Sequence, residues 1–334
     1  MQSASVAFTP TFQATIRDVL TDEKDYTRTL SFSRSAYDLE SLVGPMLAAA
    51  LLTVISFHDL FVGTAMGFIA SAALVVSVTL PASKSIERRG IYVRTTRGLR
   101  IILATPRLRG LPAVNFAVAA ASSMVIVNAA VLVQARYGLD QRATAIALAV
   151  FGAGSMVAAL VLPRLLENLA DRTTILGGGA LLCAGLLAGA LVSGYSMLLP
   201  LWFALGVGYS LAQTPTGRLS RRSALAEDRP ALFAAQFALS HLCWLVTYPV
   251  AGWVGARVAL PSTFLLLGLM ASAAVLVAIR LWPAVDTDTI AHEHTHLDPS
   301  HPHTADAAET ATGGRRHTHL FLIDSNHTEW PTSG

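Results

Sequence analysis

The chain has 334 residues, of which 53% are hydrophobic and 13% charged, with a mean hydropathy of +0.53 and a formal net charge of +3. Soluble domains carry about 25% charged residues, so this composition excludes an ordinary water-soluble globule and points to a membrane protein. No phosphate-binding glycine loop, nucleophile elbow or zinc-protease motif occurs, which gives no support to an enzyme or a cofactor, and the small positive charge gives no reason to invoke nucleic acid.

In chain order, the first feature is a polar segment, TPTFQATIRDVLTDE at 9 to 23, with an imperfect echo in TPTGRLSRRSALAED at 214 to 228. The Thr-Pro-Thr triplet, Arg17 and Arg222, and the acidic pairs Asp22-Glu23 and Glu227-Asp228 align at one offset of 205 residues. The first apolar stretch, Ala4 to Phe12, is short and lacks a basic flank, so no cleavable signal peptide is read here. Apolar runs near the roughly 20 residues that cross a bilayer then recur. They lie at 36 to 57, 60 to 80, 111 to 133, 143 to 162, 175 to 195, 197 to 213, 231 to 254 and 261 to 282, eight in all. Each is expected to be a helix, because hydrocarbon offers the backbone no partners and the runs lack the alternation of barrel strands. Cys183 and Cys243 fall inside spans, where a thiol behaves as a small buried hydrophobe.

Basic residues set the orientation, since loops rich in Lys and Arg stay in the cytoplasm. Eighteen lie in the segments 14 to 35, 81 to 110, 163 to 174 and 214 to 230, against three, Arg136, Arg142 and Arg257, on the other side. The first set is therefore expected to face the cytoplasm, and the C-terminal tail follows by parity.

Polar and ionisable residues inside spans are costly and are candidates for function. Asp38 and Glu40 lie early in the first span and point to different faces of a helix; Arg34 is placed to bridge to Asp38, which leaves Glu40 the better proton or cation site. His241 lies about ten residues into its span, where a neutral imidazole could shuttle protons or pack by hydrogen bonding. Tyr209 and Gln213 share a helix face, as do Asn115 and Ser122; contact with a substrate and bonding between helices explain them equally well. Gly152, Gly154, Gly185 and Gly189 read as close-packing positions.

Beyond Trp282-Pro283 the hydrophobicity stops, and the polar tail from 284 to 334 is expected to be largely disordered. It holds eight of the ten histidines: His292, His294, His296, His301, His303, His317, His319 and His327. Histidines two apart lie on one side of an extended strand, and imidazole with carboxylate but no thiolate suits nickel, cobalt, zinc or copper(II). Weak, multisite metal binding is the expectation.

The Gly44-Pro45 pair, the long basic segment at 81 to 110, and LADR at 169 to 172 resemble the major facilitator superfamily. LADR resembles part of its G-x-L-A-D-R-x-G loop motif, contributing Asp171 and Arg172, with Glu167 and Thr174 where glycines would stand. That resemblance implies an all-α, polytopic membrane helix bundle in two related halves. Residues 1 to 80 would be the remnant of the N-terminal bundle, 81 to 110 a basic cytoplasmic linker, 111 to 283 a six-helix C-terminal bundle, and 284 to 334 the tail. About eight spans would then correspond to helices 5 to 12, preceded by the end of a ninth, through either an internal start or a truncated copy. It further implies that Asn115, Ser122, Tyr209 and Gln213 face a central cavity. TLSFSRSAYDLESLVGPMLAAALL at 29 to 52, with a tail ending HTHLFLIDSNHTEWP, is similar to the superfamily's nickel-resistance exporters. This implies export of nickel, and second of cobalt, from the cytoplasm across a bacterial-type plasma membrane, driven by proton entry, with the tail collecting or sensing metal. An exporter of small organic molecules such as drugs or siderophores, and a transport-inactive fragment with a metal-binding tail, are the alternatives.

Overall fold

A computed structural model describes residues 51, 57–77, 91–225, 227–284, 289–294, 308–309, 315–323, 327, 330 and 331. Nine α-helices lie among them: α1 (Phe57–Ser77), α2 (Ile91–Ala104), α3 (Pro106–Arg109), α4 (Leu111–Ala130), α5 (Gln141–Asn168), α6 (Asp171–Gly189), α7 (Tyr195–Arg222), α8 (Arg229–Arg257) and α9 (Leu260–Leu281). The strands β1 (Thr289–His294), β2 (Ala308–Glu309) and β3 (Arg315–Leu320) follow.

Six helical stretches are long and apolar enough to cross a membrane: Pro106–Arg136, Gln141–Asn168, Asp171–Gly189, Tyr195–Arg222, Arg229–Arg257 and Leu260–Leu281. They coincide with the six spans expected between 111 and 282. The expected span at 60 to 80 is met by α1, of which Asp59–Leu74 is a shorter apolar helix with nearly every side chain exposed. The span at 36 to 57 lies, apart from Leu51 and Phe57, outside the described residues. The loops are shorter than expected. α7 continues to Arg222, so most of the second polar segment is helix, and α2 and α3 occupy the linker. Helices outlast their apolar windows because arginines near a C-terminus favour the negative end of the helix dipole.

Local chemistry explains the turn between α4 and α5. The last turn of α4 widens into a π-helical stretch, Val131–Arg136, and the helix ends before Gly138, whose φ of 69° is left-handed and favours glycine. Asp140 then caps α5, its side chain accepting the Ala143 backbone N–H at 2.9 Å.

α4 is the axis of the bundle, flanked by α6, α7, α8 and α9, while α5 pairs with α7, and α6 with α7 and α9. Close approach depends on small residues, as in other membrane bundles. A side chain at Gly154 would collide with the Phe203 carbonyl, and one at Gly206 with the Phe151 carbonyl, so the α5–α7 contact is made backbone to backbone. Gly185 faces Leu205, and Gly189 lies against the Phe264 ring. Cys183 and Cys243 are free thiols, the first buried and the second half-buried.

The tail differs from the expectation of disorder. In its described residues β1, β3 and β2 form an antiparallel sheet in that order, with His292 opposite His317. The reason is visible in HLFLI: Phe321 and Ile323 are buried in the same apolar cluster as Ile101 and Ile102 of α2 and Leu108 of α3. A mean composition that reads polar hides this local patch, which supplies the buried surface needed to offset chain entropy.

Candidate functional site

The end of the bundle carrying the basic segments is tied by charged side chains. Asp171, at the first turn of α6, is 3% exposed. Its carboxylate accepts Arg218 Nε at 3.1 Å and also the terminal nitrogen of that guanidinium, while Arg222 Nε lies 3.7 Å away. Both arginines come from the last turns of α7, so one buried carboxylate joins the two helices and also sits at a positive helix terminus. Arg172 turns the other way: its Nε donates to the Trp282 carbonyl at 3.2 Å and its terminal nitrogen to Ile279 at 3.4 Å, capping α9. The two residues picked out from the loop motif thus each anchor a different neighbour. Arg97 on α2 makes a two-pronged bond to Asp228, the N-cap residue of α8, at 3.0 and 2.7 Å. Arg222 and Asp228, two of the residues shared by the repeated polar segment, thus each tie a helix end, Arg222 beside Asp171 and Asp228 with Arg97; the counterparts at 9 to 23 lie outside the described residues.

Inside the bundle, Asn115 lines a small cleft with Ile102, Leu108, Ser220, Leu232 and Gln236, where Ser220 donates to Gln236 at 2.8 Å. Ser122 is buried deeper along α4. Tyr209 rests edge-on against Phe151 of α5, at 5.8 Å between centroids, and Gln213 lies half-buried one turn further along α7. His241 is held by its own helix: its Nδ1 bonds the Phe237 carbonyl at 2.8 Å and its ring stacks on Phe237 at 3.8 Å. Asp38 and Glu40 lie outside the described residues. Asn128 was not among the candidates, although it stands in an apolar span; it is buried and donates to the Ala251 carbonyl of α8 at 3.2 Å.

The tail brings three of the eight candidate histidines together. His292 of β1, His317 of β3 and His327 place their ligand nitrogens within 4.8 Å of one another. The Nε2 atoms of His292 and His327 are 2.9 Å apart, and those of His317 and His292 are 3.2 Å apart. His292 and His327 are 8% and 4% exposed, while His317 is half-buried. Strand register explains the first pair, since directly opposed residues of an antiparallel pair project on one face. Phe321 supports the cluster edge-on, 4.8 Å from His292 and 4.7 Å from His327, and Trp330 backs Phe321 at 5.0 Å. His294 and His319 contribute backbone to β1 and β3; His296, His301 and His303 lie outside the described residues.

Sequence spacing showed the alternate histidines but gave no sign of Phe321, Trp330 or Arg97 as their supports. The apolar run Leu320–Ile323 in a polar tail was the one signal available.

Comparison with known protein families matches residues 111–302 to the Major Facilitator Superfamily. Comparison with curated proteins gives no match.

Proposed function

Because the chain belongs to the Major Facilitator Superfamily and is an integral membrane protein with six crossing-length helices, we propose that it is a transporter exporting a divalent metal ion, nickel first and cobalt second, from the cytoplasm in exchange for protons. The observation that carries the choice of substrate is the convergence of His292, His317 and His327 beside the linker. Three imidazoles with ligand nitrogens within 4.8 Å of one another, two of them buried, suit a borderline divalent cation better than a drug-like molecule.

In this reading the basic segments and the tail face the cytoplasm, as the arginine distribution requires. The tail collects metal and does not itself form the transport path. Asp38, Glu40 and His241 are the groups proposed to exchange protons or cations within the membrane, and Asn115, Ser122, Tyr209 and Gln213 the polar contacts along the pathway. The charged ties around Asp171, Arg172, Arg97 and Asp228 hold the helix ends as the bundle rocks between its two access states.

Everted membrane vesicles test this directly. An acidic interior should drive nickel uptake above that of vesicles lacking the protein, and collapsing the pH difference should stop it. With the protein present and folded, absence of both nickel and cobalt uptake would reject the metal reading.

A further inference from the structure

We propose that His292, His317 and His327 form a single, specific site for one borderline divalent cation, and that the bound ion fastens the tail sheet onto the α2–α3 linker. The proposal goes beyond the export reading and does not depend on it, since an ion can bind here whatever the bundle transports.

Three observations point to a ligand set. His292 Nδ1 lies 3.1 Å from the Ile290 carbonyl, to which it donates. That bond leaves the Nε2 lone pair of His292 facing the other two rings, the arrangement by which a backbone carbonyl orients a metal-ligating imidazole. Two neighbouring Nε2 atoms, at 2.9 and 3.2 Å, then crowd this one lone pair. A lone pair accepts one well-aligned hydrogen bond, whereas a cation at the centre draws on every nitrogen that faces it. A cation satisfies all three. Metal–nitrogen bonds of about 2.0–2.1 Å in a tetrahedral site separate the nitrogens by about 3.3 Å, close to the spacings from His292 to each of its two neighbours. The third observation is burial, because His292 and His327 are almost closed to water while His317 is half-buried.

The ligand class follows from the donors. Imidazoles with no thiolate and no carboxylate beside them among the described residues select nickel, cobalt, zinc or copper(II), and disfavour magnesium and calcium, which require oxygen.

A continuous set of contacts joins this site to the linker. The ligand rings of His292 and His327 pack on Phe321, Phe321 packs on Trp330, and Trp330 lies 5.6 Å beneath the guanidinium of Arg107 in α3. Ile323 is buried in the cluster containing Ile101 and Leu108, and its carbonyl accepts Arg97 of α2 at 3.5 Å. Arg97 in turn holds Asp228 at the start of α8. An ion that draws the rings together therefore restrains the residues seated on the linker.

The full chain, purified in detergent micelles and stripped of metal, tests both parts with cobalt(II) as the probe. One equivalent should bind tightly and show the intense visible absorption of four-coordinate cobalt, with no competition from excess magnesium. His327→Gln should weaken that binding by about 100-fold, the upper end of what even outer-shell changes cost. A variant with His294, His296, His301, His303 and His319 all replaced by Asn should keep the tight equivalent, and it decides the matter even if His327→Gln loosens the tail. Several weak equivalents, or loss of the tight one in the five-residue variant, would overturn the site. Amide exchange across Arg315–Leu320 and α2 should slow on cobalt addition in the native chain and in the five-residue variant. Tight binding without that protection would overturn the fastening. Either failure leaves the vesicle result untouched, so the two readings are separable.

Discussion

Asp171 carries its negative charge with 3% of the residue exposed, and it is balanced by arginines whose side chains remain 47% and 34% exposed. Such a pair stands between the surface case, worth under about 1 kcal/mol, and the buried case, where removing one partner costs about 3–5 kcal/mol. Asp171→Asn should therefore destabilise the detergent-solubilised protein by about 2 kcal/mol, read as a lower denaturation midpoint. A change within about 0.3 kcal/mol would mean that the arginines are satisfied by water alone. Asn128→Ala should cost less, about 0.6 kcal/mol, because hydrogen bonds between membrane helices replace partners that the separated helices also find. The smaller loss at an equally buried polar residue separates charge pairing from neutral bonding.

Helix pairs are held chiefly by shape, and the α5–α7 contact shows this most clearly. Gly154 and Gly206 let the two backbones meet at Phe203 and Phe151, so no rotamer can relieve a larger side chain at either position. Gly206→Leu should push α5 away and destabilise the bundle by about 3 kcal/mol, the upper range of overpacking, exceeding the effect of Asn128→Ala several-fold. Comparable losses from the two variants, in the same denaturation assay, would contradict a packing-dominated bundle. Periodicity located these helices well, because each apolar run repeats its own length requirement. It placed their ends less well: α7 runs to Arg222, where a polar sequence reads as loop but continues as a helix whose arginines reach Asp171.

For the molecule as a whole, the arginine asymmetry predicts sidedness that labelling can check. In a background with Cys183 and Cys243 replaced by Ser, Glu293→Cys in β1 and Leu139→Cys before α5 both offer exposed positions. A membrane-impermeant maleimide should modify Leu139→Cys in intact cells and Glu293→Cys only in everted vesicles. The reverse pattern would invert the orientation and remove the tail from the cytoplasm. Deleting residues 284 to 334 should leave the six-helix bundle folded and weaken metal export without abolishing it, since the tail lies outside the proposed path. Complete loss of export with normal protein levels would make the tail part of that path.

Composition and local period were enough to establish a membrane protein, the six spans between 111 and 282, and histidines alternating on one side of a strand. These properties depend on residues within a turn or two of one another, and the bilayer imposes the same length and hydrogen-bonding demand on every span. Which histidines meet was decided by the tertiary structure, because His292 reaches His317 across 25 residues and His327 across 35. Strand register set the first of those encounters and the docking of Phe321, Ile323 and Trp330 on the linker set the second. Neither is a repeating property of the chain, so each exists only once distant apolar surfaces have found one another.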